Sequence, residues 1–279
     1  MSPTDVTNLL AELSERDLSI LQSLSAHRLL STAQIRRLHF AEGHASLGAA
    51  SGAVMRVLGR LEAKNLAVRL NRRIGGVRAG SSGITWQLGA TGERLVRTRQ
   101  GKKYRRRFVE PGVTFATHTL ATAELAVVLH ELHRTDAIEL VSVETEPSCW
   151  RSFAGPHGTP EWLKPDLFAI TASGDYEDHW YLEADLATEH PTVVVRKAKS
   201  YQRYAATGAH QARHGIFPAV VWVVPDQARL RALQAALDTD KAIQPGLFRV
   251  VPADEFGQLI TSGVPDPPPA ADPNSNHSS

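Results

Sequence analysis

Within the first ninety residues the spacing of the apolar side chains changes, and this change constrains the fold more than any other feature. Leu18, Leu21 and Leu24 recur at helical spacing, as expected for a helix with one buried face. Ahead of them, Ser14-Glu15-Arg16-Asp17 has the Ser-x-x-acid form of a capping box, with Asp17 standing in for the usual Glu. Ser31-Thr32-Ala33-Gln34 repeats that signal and opens a short helix with Ile35 and Leu38 inward. A small-residue loop, Gly43 to Gly52, precedes a third helix ending near Asn65, whose buried stripe is Val54, Val57, Leu58 and Leu61. Then the period falls to about two. Leu66 to Ile74 reads as a strand, Gly75 to Gly83 as a turn-rich tip, and Ile84 to Leu88 as the return strand.

Three short helices followed by a hairpin is the layout of a winged helix, a DNA-reading architecture. On the third helix Arg56, Arg60 and Lys64 fall four residues apart and share one face. A helix with such a face fits the major groove, and Arg69, Arg72, Arg73 and Arg78 of the hairpin can reach neighbouring phosphates. The charge distribution agrees. Residues 1–110 hold 19 Lys and Arg against 8 Asp and Glu, a net of +11; residues 111–279 hold 12 against 21, a net of −9. The whole-chain net of +2 hides this split. A basic half calls for a polyanion, and with this layout the expected partner is double-stranded DNA. After a short helix from Thr91 to Arg99, the run Lys102, Lys103, Tyr104, Arg105, Arg106, Arg107 places five cations in six residues and suits phosphate contact without sequence preference. Pro111-Gly112 closes this region, giving a winged-helix domain with a basic linker over 1–110. A homodimer is compatible with such a reader; its two-fold axis would demand a palindromic site with half-sites about 10 bp apart or a multiple of that.

The rest, 111–261, reads as an α/β domain, so the fold class is α+β. A helix from His118 to Arg134 is followed by strands at Ile138–Glu144, Asp166–Thr171 and His179–Leu186, with a loop holding Trp150, Pro156 and Pro160 between the first two. A helix at Thr192–Thr207, a buried strand at Ala219–Val224, a helix at Gln227–Leu237 and a strand at Leu247–Val251 complete it. Residues 262–279, rich in Pro, Asp, Asn and Ser, are expected to be a disordered tail. Side chains alternate along a strand, so Glu183 and Asp185 share a face of the third strand. Asp166 offers a third carboxylate at the start of the second. Three hard oxygen ligands suit Mg²⁺ or Mn²⁺. His210 and His214, four apart but without the Glu of a His-Glu-x-x-His motif, read as surface residues.

The lone cysteine, Cys149, rules out an intrachain disulfide and a multi-cysteine zinc site. No run of about 18 apolar residues exists to span a bilayer. Met1-Ser2-Pro3-Thr4-Asp5 does not open a signal peptide. No membrane association and a cytoplasmic location are therefore expected.

The order of elements, with Pro165-Asp166 opening one strand and an acidic pair in the next, resembles the PD-(D/E)XK nuclease superfamily. That resemblance implies metal-binding roles for Asp166 and Glu183. Asp185 occupies the position of the superfamily's lysine, and is left as a third ligand. The cation would come from the following helix, where Arg196, Lys197 and Lys199 are available, and Glu124 would be an additional acid. The catalytic set so implied is Asp166, Glu183, Asp185, Lys197 and Lys199. Taken together, Leu13-Ser14-Glu15-Arg16-Asp17, Ser31-Thr32-Ala33-Gln34-Ile35, Arg60-Leu61, the hairpin, Leu182-Glu183-Ala184-Asp185 and Arg196-Lys197-Ala198-Lys199-Ser200-Tyr201 resemble the replication-relaxation family of actinobacterial mobile elements, over roughly residues 12–260. The resemblance implies a DNA-binding protein of a plasmid or integrated element, acting in replication or DNA relaxation. Two functions stay open: a Mg-dependent DNA nickase, or a winged-helix transcriptional regulator whose nuclease-like domain is catalytically inactive and serves dimerisation or partner binding.

Overall fold

Both capping boxes form as their sequences require. The structure is a computed structural model that describes residues 8–70, 83–101, 111–155, 158–244 and 246–263. The Ser14 hydroxyl accepts from the Asp17 amide at 3.2 Å while the Asp17 carboxylate accepts from the Ser14 amide at 3.0 Å, and helix α1 (Glu15–His27) starts there. Ser31 and Gln34 reciprocate in the same way at the start of α2 (Thr32–His39). Between them lies β1 (Leu30–Ser31). Helix α3 (Leu47–Ala63) begins earlier than the small residues suggested, because Ser46 caps it by accepting from the Ala49 amide. The stretch from Leu47 to Gly52, read as loop, is its first turn and a half.

β2 (Ala67–Arg69) and β3 (Thr85–Leu88) pair antiparallel, and β1 adds on the other side of β3 to give the order β1-β3-β2. The third strand was not legible in the sequence, because two residues are too few to show a period. Residues 71–82, which include Arg72, Arg73 and Arg78, lie outside the described residues, as do the basic run Lys102–Arg107 and residues 264–279 of the expected tail. Helix α4 (Ala90–Arg99) follows, its start packed so tightly on the Asn65-Leu66 turn between α3 and β2 that only glycine fits: a Cβ at Gly92 would lie 2.0 Å from the Leu66 carbonyl oxygen, and one at Gly89 2.3 Å from that of Asn65. Val54, Leu58 and Leu61 of α3 join Ile20, Leu21, Leu24, Leu30, Ile35 and Trp86 in one fully buried core. Each such aliphatic side chain contributes about 1.5–3 kcal/mol by leaving water. Trp86, the largest, keeps its indole N–H satisfied at 2.9 Å from the Thr32 hydroxyl.

Helix α5 (Val113–Arg134) counts with these elements. The chain forms two compact units, and the first takes in the described residues up to Asp136 together with Val143–Trp150 and Lys164–Phe168. Its bounds therefore differ from the 110/111 boundary drawn from Pro111-Gly112. Gln34 of α2 donates to the Leu120 carbonyl and to Glu124, and Arg37 reaches both Glu124 and Glu131. The hydrogen bonds of Glu131 with Arg37 hold that carboxyl below its usual range.

The second unit is built on a five-stranded sheet of order β10-β9-β8-β7-β4, and the class is α+β. The strands are β4 (Glu139–Thr145), β7 (Leu167–Ser173), β8 (Tyr176–Ala184), β9 (Ala219–Val224) and β10 (Phe248–Pro252). β7 and β8 are joined by two residues through Gly174, at φ 58, which requires an antiparallel hairpin. β8, β9 and β10 run parallel. Helices α6 (Pro191–Ala206) and α7 (Ala209–His214) bridge β8 to β9, and α8 (Gln227–Thr239) bridges β9 to β10. β9 is buried almost throughout, as its run of valines predicts. The segment holding Trp150, Pro156 and Pro160 is not simply a loop: β5 (Arg151–Ala154) and β6 (Pro160–Leu163) form a hairpin there, with Pro160 at a strand end where it removes no interior ladder bond. A last helix, α9 (Phe256–Ser262), follows β10.

Candidate functional site

Alternation along β8 sets His179, Tyr181 and Glu183 on one face, and each is buried. This face meets α6 and α7. Glu183, 2% exposed, accepts from the Lys197 ammonium and from the Tyr201 hydroxyl, both at 2.5 Å. Lys197 and Tyr201 stand four residues apart on α6 and so present one face to the strand. The Tyr181 ring packs against Tyr201, with centroids 5.4 Å apart, and burial pushes its hydroxyl pKa above the usual tyrosine range. Further along, His179 Nδ1 lies 3.2 Å from His210 Nε2, and His179 Nε2 lies 2.8 Å from a Glu177 carboxylate oxygen. Burial foremost, then His214 and His179, lowers the His210 pKa to about 4. His210 is 3% exposed and is therefore a buried residue, not the surface residue its sequence context suggested; His214, on the same helical face, is exposed.

Asp185 extends the β8 ladder by one bond, its amide donating to the Val223 carbonyl. Its two carboxylate oxygens accept from Arg229 Nε at 2.8 Å and Nη2 at 2.7 Å, a bidentate pair in which neither side chain is more than 10% exposed. Arg229 also donates to the Glu189 carbonyl, and the bond to Asp185 raises its pKa further. Lys199 points elsewhere, into an ion pair with Asp240 at 2.7 Å along a groove of about 840 Å³ between α6 and α8. Asp166 belongs to the first unit, where it is 6% exposed and lies 3.2 Å from His118 Nε2 beside a small cleft of about 50 Å³. Within the second unit the expected catalytic residues are thus sorted by partner: Glu183 and Lys197 meet, Asp185 is engaged by Arg229, and Lys199 by Asp240. Glu124, read as an additional acid, binds Arg37 and Gln34 in the first unit.

Sequence reasoning missed Tyr201 as a partner of Glu183, Arg229 as the partner of Asp185, and the approach of His179 to His210 and His214. The strand alternation 179-181-183 and the helical pairs 197/201 and 210/214 carry part of this signal. Arg229, 44 residues from Asp185, carries none.

In the first unit α3 carries the expected row of cations, with Arg56 and Arg60 exposed and Lys64 half-buried. Arg60 lies 2.6 Å from the buried Asp17, and Lys64 pairs with Glu12. Arg69 pairs with Glu62 and stacks over the Trp86 ring at 5.4 Å; the pair lowers the Glu62 pKa and raises that of Arg69. Nearby, His39 is bracketed by Ser23 at 3.0 Å and Ser19 at 3.3 Å, and its pKa falls to about 4, chiefly through burial and then through the charge of His130.

No helix among the described residues is long and apolar enough to cross a membrane. Neither the curated proteins nor the solved structures contain a match to the chain. The model of one family, replication-relaxation, matches residues 21–220, a span that takes in the α3 face, the β8 row and both helices packed on it. The chain therefore belongs to the replication-relaxation family, and with it to proteins that act in replication or DNA relaxation.

Proposed function

We propose that the chain is a duplex-DNA-binding protein of a plasmid or integrated mobile element, and that it binds through α3 and the hairpin of its first unit, in the manner of a winged helix. The observation that carries this reading is the cationic face of exposed Arg56 and Arg60, with half-buried Lys64 at its end, on a helix whose opposite face is anchored in the core by Val54, Leu58 and Leu61. A rigidly held helix can present such cations to phosphates or base edges in the major groove. The partner of Lys64, Glu12, is exposed and is no obstacle, while the partner of Arg60, Asp17, is buried and holds that guanidinium more firmly. Exposed ion pairs are worth about 0–1 kcal/mol, whereas each phosphate contact releases counterions.

The second unit is read as the catalytically inactive platform of such a protein, a dimerisation or partner-binding body. Glu183 is neutralised by Lys197 and bonded to Tyr201, and Asp185 is neutralised by Arg229. A Mg²⁺ or Mn²⁺ held by these carboxylates would have to displace two cations from buried or half-buried positions, and such pairs are strongly destabilised when one partner is removed. The charges of β8 are therefore assigned to holding α6 and α8 on the sheet.

A second reading has its own observation. The contact between Glu183 and Lys197 is the acid–lysine pairing that the nuclease-like resemblance calls for, with the lysine moved to the following helix. It would make the protein a metal-dependent nickase employing Asp166, Glu183, Asp185, Lys197 and Lys199. Supercoiled plasmid incubated with the protein and Mg²⁺ or Mn²⁺ separates the two. Retarded but intact plasmid is the expected result. Nicking by the wild type that is abolished in Glu183→Ala and Asp166→Ala would establish the nickase.

A further inference from the structure

The row on β8 ends in a group of side chains of a different chemistry. His179, His210 and His214 each offer an imidazole nitrogen, and these atoms all lie within 4.8 Å of one another. The pair His179 Nδ1 and His210 Nε2 is 3.2 Å apart. Two imidazole nitrogens bound to one tetrahedral Zn²⁺ at about 2.0–2.1 Å would stand roughly 3.3 Å apart, so these two already have the spacing of co-ligands. His210 and His214 stand one turn apart on α7, their rings stacked with centroids 4.6 Å apart. Gly208 and Gly215, at φ 67 and φ 79, turn the chain sharply into and out of this single turn of helix and hold it over the strand.

The remaining nitrogens are also arranged as at a metal centre. Ligating histidines direct the second ring nitrogen to a carboxylate or other acceptor, which fixes tautomer and ring orientation. His179 Nε2 meets the Glu177 carboxylate at 2.8 Å, and His210 Nδ1 faces the Tyr181 hydroxyl at 3.5 Å. The cations Arg151 and Arg213 act on His210 and His214, and Glu177 opposes them at His214.

We propose that His179 Nδ1, His210 Nε2 and His214 form a Zn²⁺ site, oriented by Glu177 and Tyr181, with its fourth position open to solvent beside the exposed His214. An all-imidazole set selects Zn²⁺ or another borderline transition metal over the hard Mg²⁺ and Mn²⁺. The site is thus separate in chemistry from the carboxylates at the other end of the row, and it stands whether or not the protein binds DNA. A bound ion would clamp α7 to β8.

The test uses the full chain stripped of metal with a chelator and dialysed. Zn²⁺ is titrated against a chromophoric chelator, with Co²⁺ as a spectroscopic probe, for the wild type, His214→Ala and Glu177→Gln. Both substituted side chains are exposed, so the fold tolerates their loss, as an unchanged Tm of the metal-free variants would verify. The expected result is one Zn²⁺ per chain, Co²⁺ absorption of tetrahedral intensity, and a rise of Tm with Zn²⁺ that is largest in the wild type, smaller in Glu177→Gln and smallest in His214→Ala. Affinity should fall more than about 100-fold in His214→Ala and about 10- to 100-fold in Glu177→Gln. A stoichiometry far below one, or equal affinity of the wild type and His214→Ala, would overturn the proposal.

Discussion

The α3 face of the first unit and the β8 row of the second are built from the same materials, Lys or Arg beside Asp or Glu, yet they stand in different surroundings. On α3 the cations lie in water: the Arg60 and Lys64 side chains are 55% and 36% exposed, and so is Glu12, the partner of Lys64, although Asp17, the partner of Arg60, is buried. On β8 the acids are shut in: Glu183 and Asp185 side chains are 3% and 6% exposed. An exposed pair is worth little and is easily exchanged for a phosphate. A buried pair is costly to break, because the survivor keeps its charge away from water. The same composition therefore reads as a binding surface in one unit and as structure in the other, and burial decides between them.

The comparison breaks most sharply at Arg229. Arg229→Ala leaves Asp185 buried with neither of its two guanidinium bonds, and should cost about 3–5 kcal/mol in denaturant unfolding. A loss below about 1 kcal/mol would put Asp185 among the weak, surface-like pairs. Next is Glu183→Gln, which keeps the shape and removes the charge that binds Lys197 and Tyr201. A loss of about 1.5–3 kcal/mol is expected for hydrogen bonds to a charged group.

How much of this could be read beforehand depends on the distance over which a contact acts. The two capping boxes, the buried stripe of α3 and the valine strand β9 follow from residues within a turn or two of each other, and they form as read, except that Val57 of the stripe is only half-buried. The class, α+β, followed from the helices and hairpin of the first part joined to the alternating helices and strands of the second. What failed was of two kinds. Elements of few residues, β1, α7 and the β5–β6 hairpin, are too short to display a period, and Pro156 and Pro160 disguised the hairpin as a loop. Partnerships between distant residues, Asp185 with Arg229 or His179 with His210, depend on which helix the fold lays over β8. The sequence therefore supplied the carboxylates of the site but not the cations that neutralise them.

A pH titration sharpens the comparison from another side. The folded pKa of His39 is depressed to about 4 from an ordinary 6.5. Between those values the unfolded chain binds the extra proton, so the stability contributed by neutral, half-buried His39 is complete above about pH 6.5 and is lost as the pH falls toward 4. His27, also lowered to about 4, adds in the same direction. Tm should fall between pH 7 and pH 5, and less steeply in His39→Gln. An equal slope in the variant would remove His39 from the account. The α3 face divides by pair: in the combined Arg56→Ala, Arg60→Ala and Lys64→Ala variant, loss of the exposed Lys64–Glu12 pair should cost no more than about 1 kcal/mol, and the larger share should come from Arg60, whose partner Asp17 is buried.

That same variant supplies the most direct measurement, the affinity for duplex DNA as a function of salt. Each phosphate contact contributes about 0.9 to the slope of log K against log salt. If all three cations touch phosphate, the triple variant should bind more weakly and with a slope shallower by about 2.7, while a Lys199→Ala variant of the second unit keeps the wild-type slope. An unchanged slope in the triple variant, or an equal loss in Lys199→Ala, would contradict the assignment of DNA binding to the exposed face of α3.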